Sequence, residues 1–104
     1  MIIYSVTITL DQNVEQEWHS WMKEAHIPDV MATGFFKAAH MQRLLEPQPD
    51  AGLATFNVQY ECESMELYEQ YQREAAPALQ ADHTERFKDR FVAFRTILQR
   101  EASY

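Results

Sequence analysis

One cysteine, Cys62, is all that the sequence contains, so no disulfide can close within the chain and nothing points to an oxidising compartment. Two glycines and four prolines leave little room for flexible linkers. There is no glycine-rich phosphate loop, no dinucleotide fingerprint and no Gly-x-Ser-x-Gly elbow. Basic residues are scarce: nine Lys and Arg stand against sixteen Asp and Glu, a net charge of −7. A nucleic-acid backbone or an anionic membrane surface demands the opposite excess, so neither is an expected partner. The opening Met1-Ile2-Ile3-Tyr4 lacks a basic stretch, and Ser5, Thr7 and Thr9 interrupt the apolar run behind it. Neither a signal peptide nor a membrane span is expected, and the default expectation is a soluble, cytoplasmic protein.

What is present suits a folded domain. Hydrophobic residues make up 46% of the 104 and aromatic residues 12%. A chain of this length buries roughly two-thirds of its unfolded surface, so one domain over residues 1–104 can hold together without metal or disulfide. Residues 2–10 alternate: Ile2, Tyr4, Val6, Ile8 and Leu10 share one face, and Ser5, Thr7 and Thr9 the other, which predicts a strand with one buried side. Asp11-Gln12-Asn13 offers an N-cap, and Val14, Trp18, Trp21, Met22 and Ala25 follow at helical spacing to about His26. Pro28 is expected to interrupt or restart this helix, and Gly34 to stop it. Residues 35–45 read as a second strand, and Pro47, Pro49, Asp50 and Gly52 as a hairpin connection. Ala54, Phe56, Val58, Tyr60 and Cys62 alternate with polar partners in a third strand. Ser64 caps a second helix carrying Leu67, Tyr68, Tyr71, Ala75 and Leu79, with Pro77 near its end. Charge-rich residues 82–88 read as an irregular turn, and Val92, Phe94, Thr96 and Leu98 as a fourth strand.

This βαββαβ order predicts an α+β, ferredoxin-like sandwich: a four-stranded antiparallel sheet backed by two helices. Right-handed crossovers place the first and third strands in the middle. Their second face then presents Thr7 and Thr9 beside Asn57 and Gln59 with no helix to cover it, leaving it to water or to a second subunit. Arg95 lies on the opposite side of its strand from Val92, Phe94 and Thr96, which assigns it to that polar face, paired with Glu61 or across a dimer interface, or simply exposed.

Candidate chemistry is sparse. His26 ends the first helix beside Pro28 and Asp29; a neutral imidazole there suits a general base or a ligand contact, and equally a cap on helix carbonyls. Trp18, Tyr60 and Tyr71, with His26, could line an aromatic pocket, although aromatics at helical spacing are more often core. His19 and His26 lie two turns apart, too far to share an ion, while His40 and His83 stand alone, so no metal and no cofactor are expected. Cys62 lies on an apolar face without a basic neighbour in sequence, a poor setting for a nucleophile.

The opening Met1-Ile2-Ile3-Tyr4-Ser5-Val6-Thr7, the run from Trp21 to Gly34 with its Ala25-His26-Ile27-Pro28-Asp29, the stretch Ala75-Ala76-Pro77-Ala78-Leu79 onward to His83, and Phe87 to Arg95 together resemble the bacterial family labelled domain of unknown function 4286. More distantly, the plan is similar to the dimeric α/β-barrel superfamily, which includes cofactor-free monooxygenases, isomerases and proteins that only bind. His26-Ile27-Pro28 is similar to a feature near the first helix end in some of those enzymes. The resemblance implies a homodimer more than it implies a reaction. Two functions follow as expectations: a homodimeric small-molecule-binding protein, extending to a cofactor-independent enzyme, or a non-enzymatic dimeric protein-interaction module.

Overall fold

The computed structural model describes residues 1–104. Four strands, β1 (Ile2–Asp11), β2 (Ala38–Arg43), β3 (Leu53–Cys62) and β4 (Phe91–Gln99), form one antiparallel sheet in the order β2-β3-β1-β4. The two strands with the cleanest alternation therefore occupy the centre, as their patterning requires. Tyr4 sits opposite Tyr60 and Val6 opposite Val58, so the apolar residues of both strands stand on one side. Helices cover that side, where Ile8, Leu10, Phe56 and Val58 are each at most 3% exposed.

Each crossover is broken into pieces. The first begins with a short 3₁₀ turn, Gln12–Val14, which the Asp11 carboxylate caps by accepting from Asn13 N at 2.8 Å. It continues as α1 (Glu15–Trp21), a π-helical turn (Met22–His26) and α2 (Ile27–Ala32) without leaving the helical path. Pro28 accounts for the wide turn. It has no N–H to give, and in a regular α-helix its ring would press on the carbonyl four residues back; the π turn, in which Ile27 N–H reaches Met22 O, opens that space. Gly34 then leaves the helical region at φ +82.

The second crossover contains α3 (Met65–Glu74) and α4 (Ala76–Arg86). Pro77 opens α4 within its first turn rather than closing a single helix. The expected irregular turn over 82–88 is thus corrected: residues 82–86 belong to α4, with His83 and Phe87 buried beneath. The charges that suggested a loop, Asp82, Glu85 and Arg86, occupy its exposed side. Strand β2 is also shorter than residues 35–45.

Ser64 holds the start of α3, its hydroxyl accepting from Leu67 N at 3.2 Å. Ser64→Ala should remove about 1 kcal/mol of stability, a fall of roughly 4–8 °C in Tm on thermal unfolding. An unchanged Tm would show that this cap contributes nothing.

Candidate functional site

Between the helices and the sheet lies a cavity of about 30 Å³, within about 450 Å³ of empty space that continues out to solvent. That is room for one or a few waters as it stands. Its floor is Tyr4, Val6 and Val58 from the central strands, with Tyr60 beside them. Helical residues Met22, His26 and Val30 form one wall, and Tyr71, Leu79 and His83 another. Arg95 reaches the opening from edge strand β4.

The π turn decides that His26 belongs to this wall. Trp18, Met22, His26 and Val30 follow one another at steps of four. An α-helix overshoots such a step by about 40°, whereas a turn closed over five residues undershoots it. Interposing the π turn cancels part of the drift, so Trp18, Met22 and Val30 are all buried and His26 stays with them, half-buried against Trp21 at 5.0 Å between rings. Burial pulls the His26 imidazole below the ordinary histidine range; Asp82 and Asp29 pull the other way, and Arg95 adds to the lowering.

His83, solitary in sequence, is the group that sequence reasoning missed. It is 7% exposed and 5.7 Å from His26 between ring centres. Trp18 Nε1 donates to His83 Nε2 at 2.9 Å. An indole N–H can only donate, so Nε2 must carry its lone pair and His83 is the neutral tautomer protonated on Nδ1. Burial, with His26 and Arg95 next, pushes its pKa down to about 4 against a smaller opposing pull from Asp82. The signal was available: Ala76, His83 and Phe87 recur at helical spacing and are buried together.

Tyrosines supply the rest of the polarity. Tyr4, Tyr60, Tyr71 and Phe36 interlock with ring centres 4.7–6.1 Å apart. Tyr4 Oη accepts from Arg95 Nε at 3.2 Å. No buried polar side-chain atom is left unpaired, and Tyr60 and Tyr71 make no side-chain hydrogen bond, so their hydroxyls meet the open space. Burial, helped by neighbouring tyrosines, raises both phenols well above their usual range, which keeps them neutral donors. The wall thus combines a neutral imidazole, phenolic donors and one guanidinium, groups able to bind a small polar molecule and accept its proton.

Of the expected pocket residues, His26, Tyr60 and Tyr71 line the cavity. Trp18 does not: it is wholly buried behind the wall, packed on Phe56 at 4.9 Å, and acts through His83. Arg95 requires a second correction. It pairs with Val6 in the sheet register, which puts it on the helix side at the cavity mouth rather than on the polar outer face; Glu61 is paired by Arg100 at 3.1 Å instead. Val92, Phe94 and Leu98 take the outer face and are 70%, 62% and 47% exposed.

Thr7, Thr9, Asn57 and Gln59 do lie on that outer face. Part of that face pairs internally: Thr9 and Thr55 share a 2.8 Å bond, and Asn57 Nδ2 donates to Ser5 Oγ at 2.9 Å and Thr7 Oγ1 at 3.1 Å, whereas the Gln59 amide makes no side-chain hydrogen bond. No group of three or more His, Cys, Asp or Glu residues could hold a metal ion. No helix is long and apolar enough to cross a membrane. Cys62 is buried, its Sγ 3.4 Å from Ser64 O.

Solved structures share this architecture at low identity. A dimeric ferredoxin-like protein from an uncultured marine organism aligns with a TM-score of 0.73 at 11% identity, covering 100% of this chain and 98% of its own. HapK from Hahella chejuensis gives 0.71 at 11%, covering 100% and 96%. An ethyl tert-butyl ether D (EthD) family protein from Bacillus halodurans gives 0.67 at 11%, covering 97% and 100%. These likenesses establish a ferredoxin-like fold alone. No curated protein matches the chain. The sequence matches the family described as domain of unknown function DUF4286 over residues 1–101, and the chain belongs to that family.

Proposed function

We propose that the chain, as one domain over residues 1–104, is a small-molecule-binding protein that works as a homodimer. Two copies join outer sheet face to outer sheet face, and each keeps a small organic ligand between its helices and its sheet. His26 is the acceptor toward that ligand and the base in a cofactor-independent reaction. The observation that carries this reading is the convergence on one cavity of His26, Tyr60, Tyr71 and Arg95, drawn from four different elements. A lone buried cysteine fits a reducing, cytoplasmic setting.

The dimer rests on the outer face. Its centre is polar and partly hydrogen-bonded internally, so covering it leaves chiefly the Gln59 amide to find a partner across the interface. Along β4 it presents Val92, Phe94 and Leu98, an apolar strip of the kind that marks an interface. The structurally similar protein from the marine organism is described as dimeric, which supports self-association. Sedimentation at micromolar concentration should give twice the monomer mass, and Phe94→Glu, which sets a carboxylate in that strip, should give the monomer with an unchanged far-UV CD spectrum. A wild-type chain that sediments as monomer would remove the dimer.

The ligand is tested by titrating ¹⁵N-labelled protein with a library of small carboxylic, phenolic and neutral heterocyclic compounds. Shifts should cluster on His26, Val30, Tyr60 and Tyr71; an absence of hits there ends the ligand reading. The narrowness of the cavity favours a second reading, a non-enzymatic interaction module that assembles through its sheet and leaves the space to water.

A further inference from the structure

The mouth of the cavity carries a charge that no carboxylate of the chain answers. Arg43, Arg90 and Arg100 each meet an acidic side chain, at 2.8, 3.1 and 3.1 Å, and Lys37 meets Glu63, while Lys23, Arg73, Arg86 and Lys88 are unpaired on the exposed surface, away from the cavity lining. Arg95 meets only a phenol: Nε donates to Tyr4 Oη, which orients the guanidinium and leaves its terminal nitrogens free. Its neighbours on the same side of β4, Ala93 and Ile97, offer no acceptor. Among the residues lining the cavity Arg95 is the one fixed charge, because His83 is locked neutral by Trp18. Arg95 remains exposed on its outer side, so a molecule entering from solvent meets the guanidinium first. With a net charge of −7 the chain has no general attraction for anions, so a preference for one has to arise at this contact.

We infer that the mouth of the cavity takes a small organic monoanion, a carboxylate or an enolate or phenolate oxygen on an apolar body, with the charged oxygen on Arg95 and the body entering the space open to solvent toward Tyr60, Tyr71 and Val30. The proposal rests on the ligand-binding reading above and assigns its ligand class. A planar guanidinium meets a carboxylate through two parallel hydrogen bonds, which a neutral isostere cannot match in strength. The tyrosine hydroxyls add neutral donors with no competing charge.

The test titrates benzoate and its neutral isostere benzamide into ¹⁵N-labelled full-length protein at low ionic strength. Benzoate should shift resonances of His26, Val30, Tyr60 and Tyr71 and bind at least tenfold more tightly than benzamide. Added chloride should erode that preference, and Arg95→Gln, checked for fold by far-UV CD, should abolish it. If benzamide occupies the cavity as tightly as benzoate, or Arg95→Gln keeps the preference, the anion assignment fails while the binding reading stands. If neither compound shifts those residues, both fall.

Discussion

Replacing Trp18 with alanine should cost about 3–5 kcal/mol, a large share of the roughly 5–15 kcal/mol that holds a domain of this size together. Trp18 is 0% exposed, so its removal opens a void against Phe56 that neighbouring elements can only partly refill. It also strips His83 Nε2 of its donor, leaving a buried polar atom unpaired at a further cost of about 1–3 kcal/mol unless water enters. Thermal unfolding followed by the fluorescence of the remaining Trp21 should show Tm lower by more than about 12 °C. Trp18→Phe separates the two effects, since it keeps most of the packing and loses the N–H. A Tm within a few degrees of wild type for Trp18→Ala would contradict the account of this core.

Acid should weaken the fold through His83. In the folded chain its pKa lies near 4, below the ordinary value of 6.5 that it regains on unfolding. Between those values the unfolded chain binds more protons, so stability is fully present above about pH 6.5 and is lost as pH falls toward 4. The full loss from this residue is at most roughly 3 kcal/mol, and His26, shifted the same way, adds to it. The urea midpoint should therefore fall between pH 7.5 and 4.5. His83→Gln, whose side-chain oxygen can still accept from Trp18, should flatten that slope; an equally steep slope in the variant would place the sensitivity elsewhere, in His26 first.

The central sheet was legible in the sequence because β1 and β3 each bury one side completely, which forces a strict alternation. Strand β4 was legible as a strand, but its orientation was not. Both of its sides carry apolar residues, Phe91 and Ala93 toward the helices and Val92 and Phe94 away from them, so periodicity fixes which residues share a side without saying which side faces the core. Arg95 was misassigned for that reason: at a sheet edge, the helix side can hold a charge where the cavity opens to water. His26, Tyr60 and Tyr71 were recognisable as candidates because the end of a helix and an aromatic stripe are local features. The pairing of Trp18 with His83 spans 65 residues and depends on how α4 packs over α1, which no local pattern contains.

The π turn has an effect beyond its own hydrogen bonds. Three α-helical steps of four would fan Trp18, Met22, His26 and Val30 across about 120° of the helix cylinder, with the imidazole turned by about 80° from the indole toward the solvent. The surplus residue acts as a phase corrector that keeps an indole, a thioether, an imidazole and an isopropyl group in one column. A chain with histidine at the matching place but one residue fewer in that turn would carry the same letter on the wrong side of its helix.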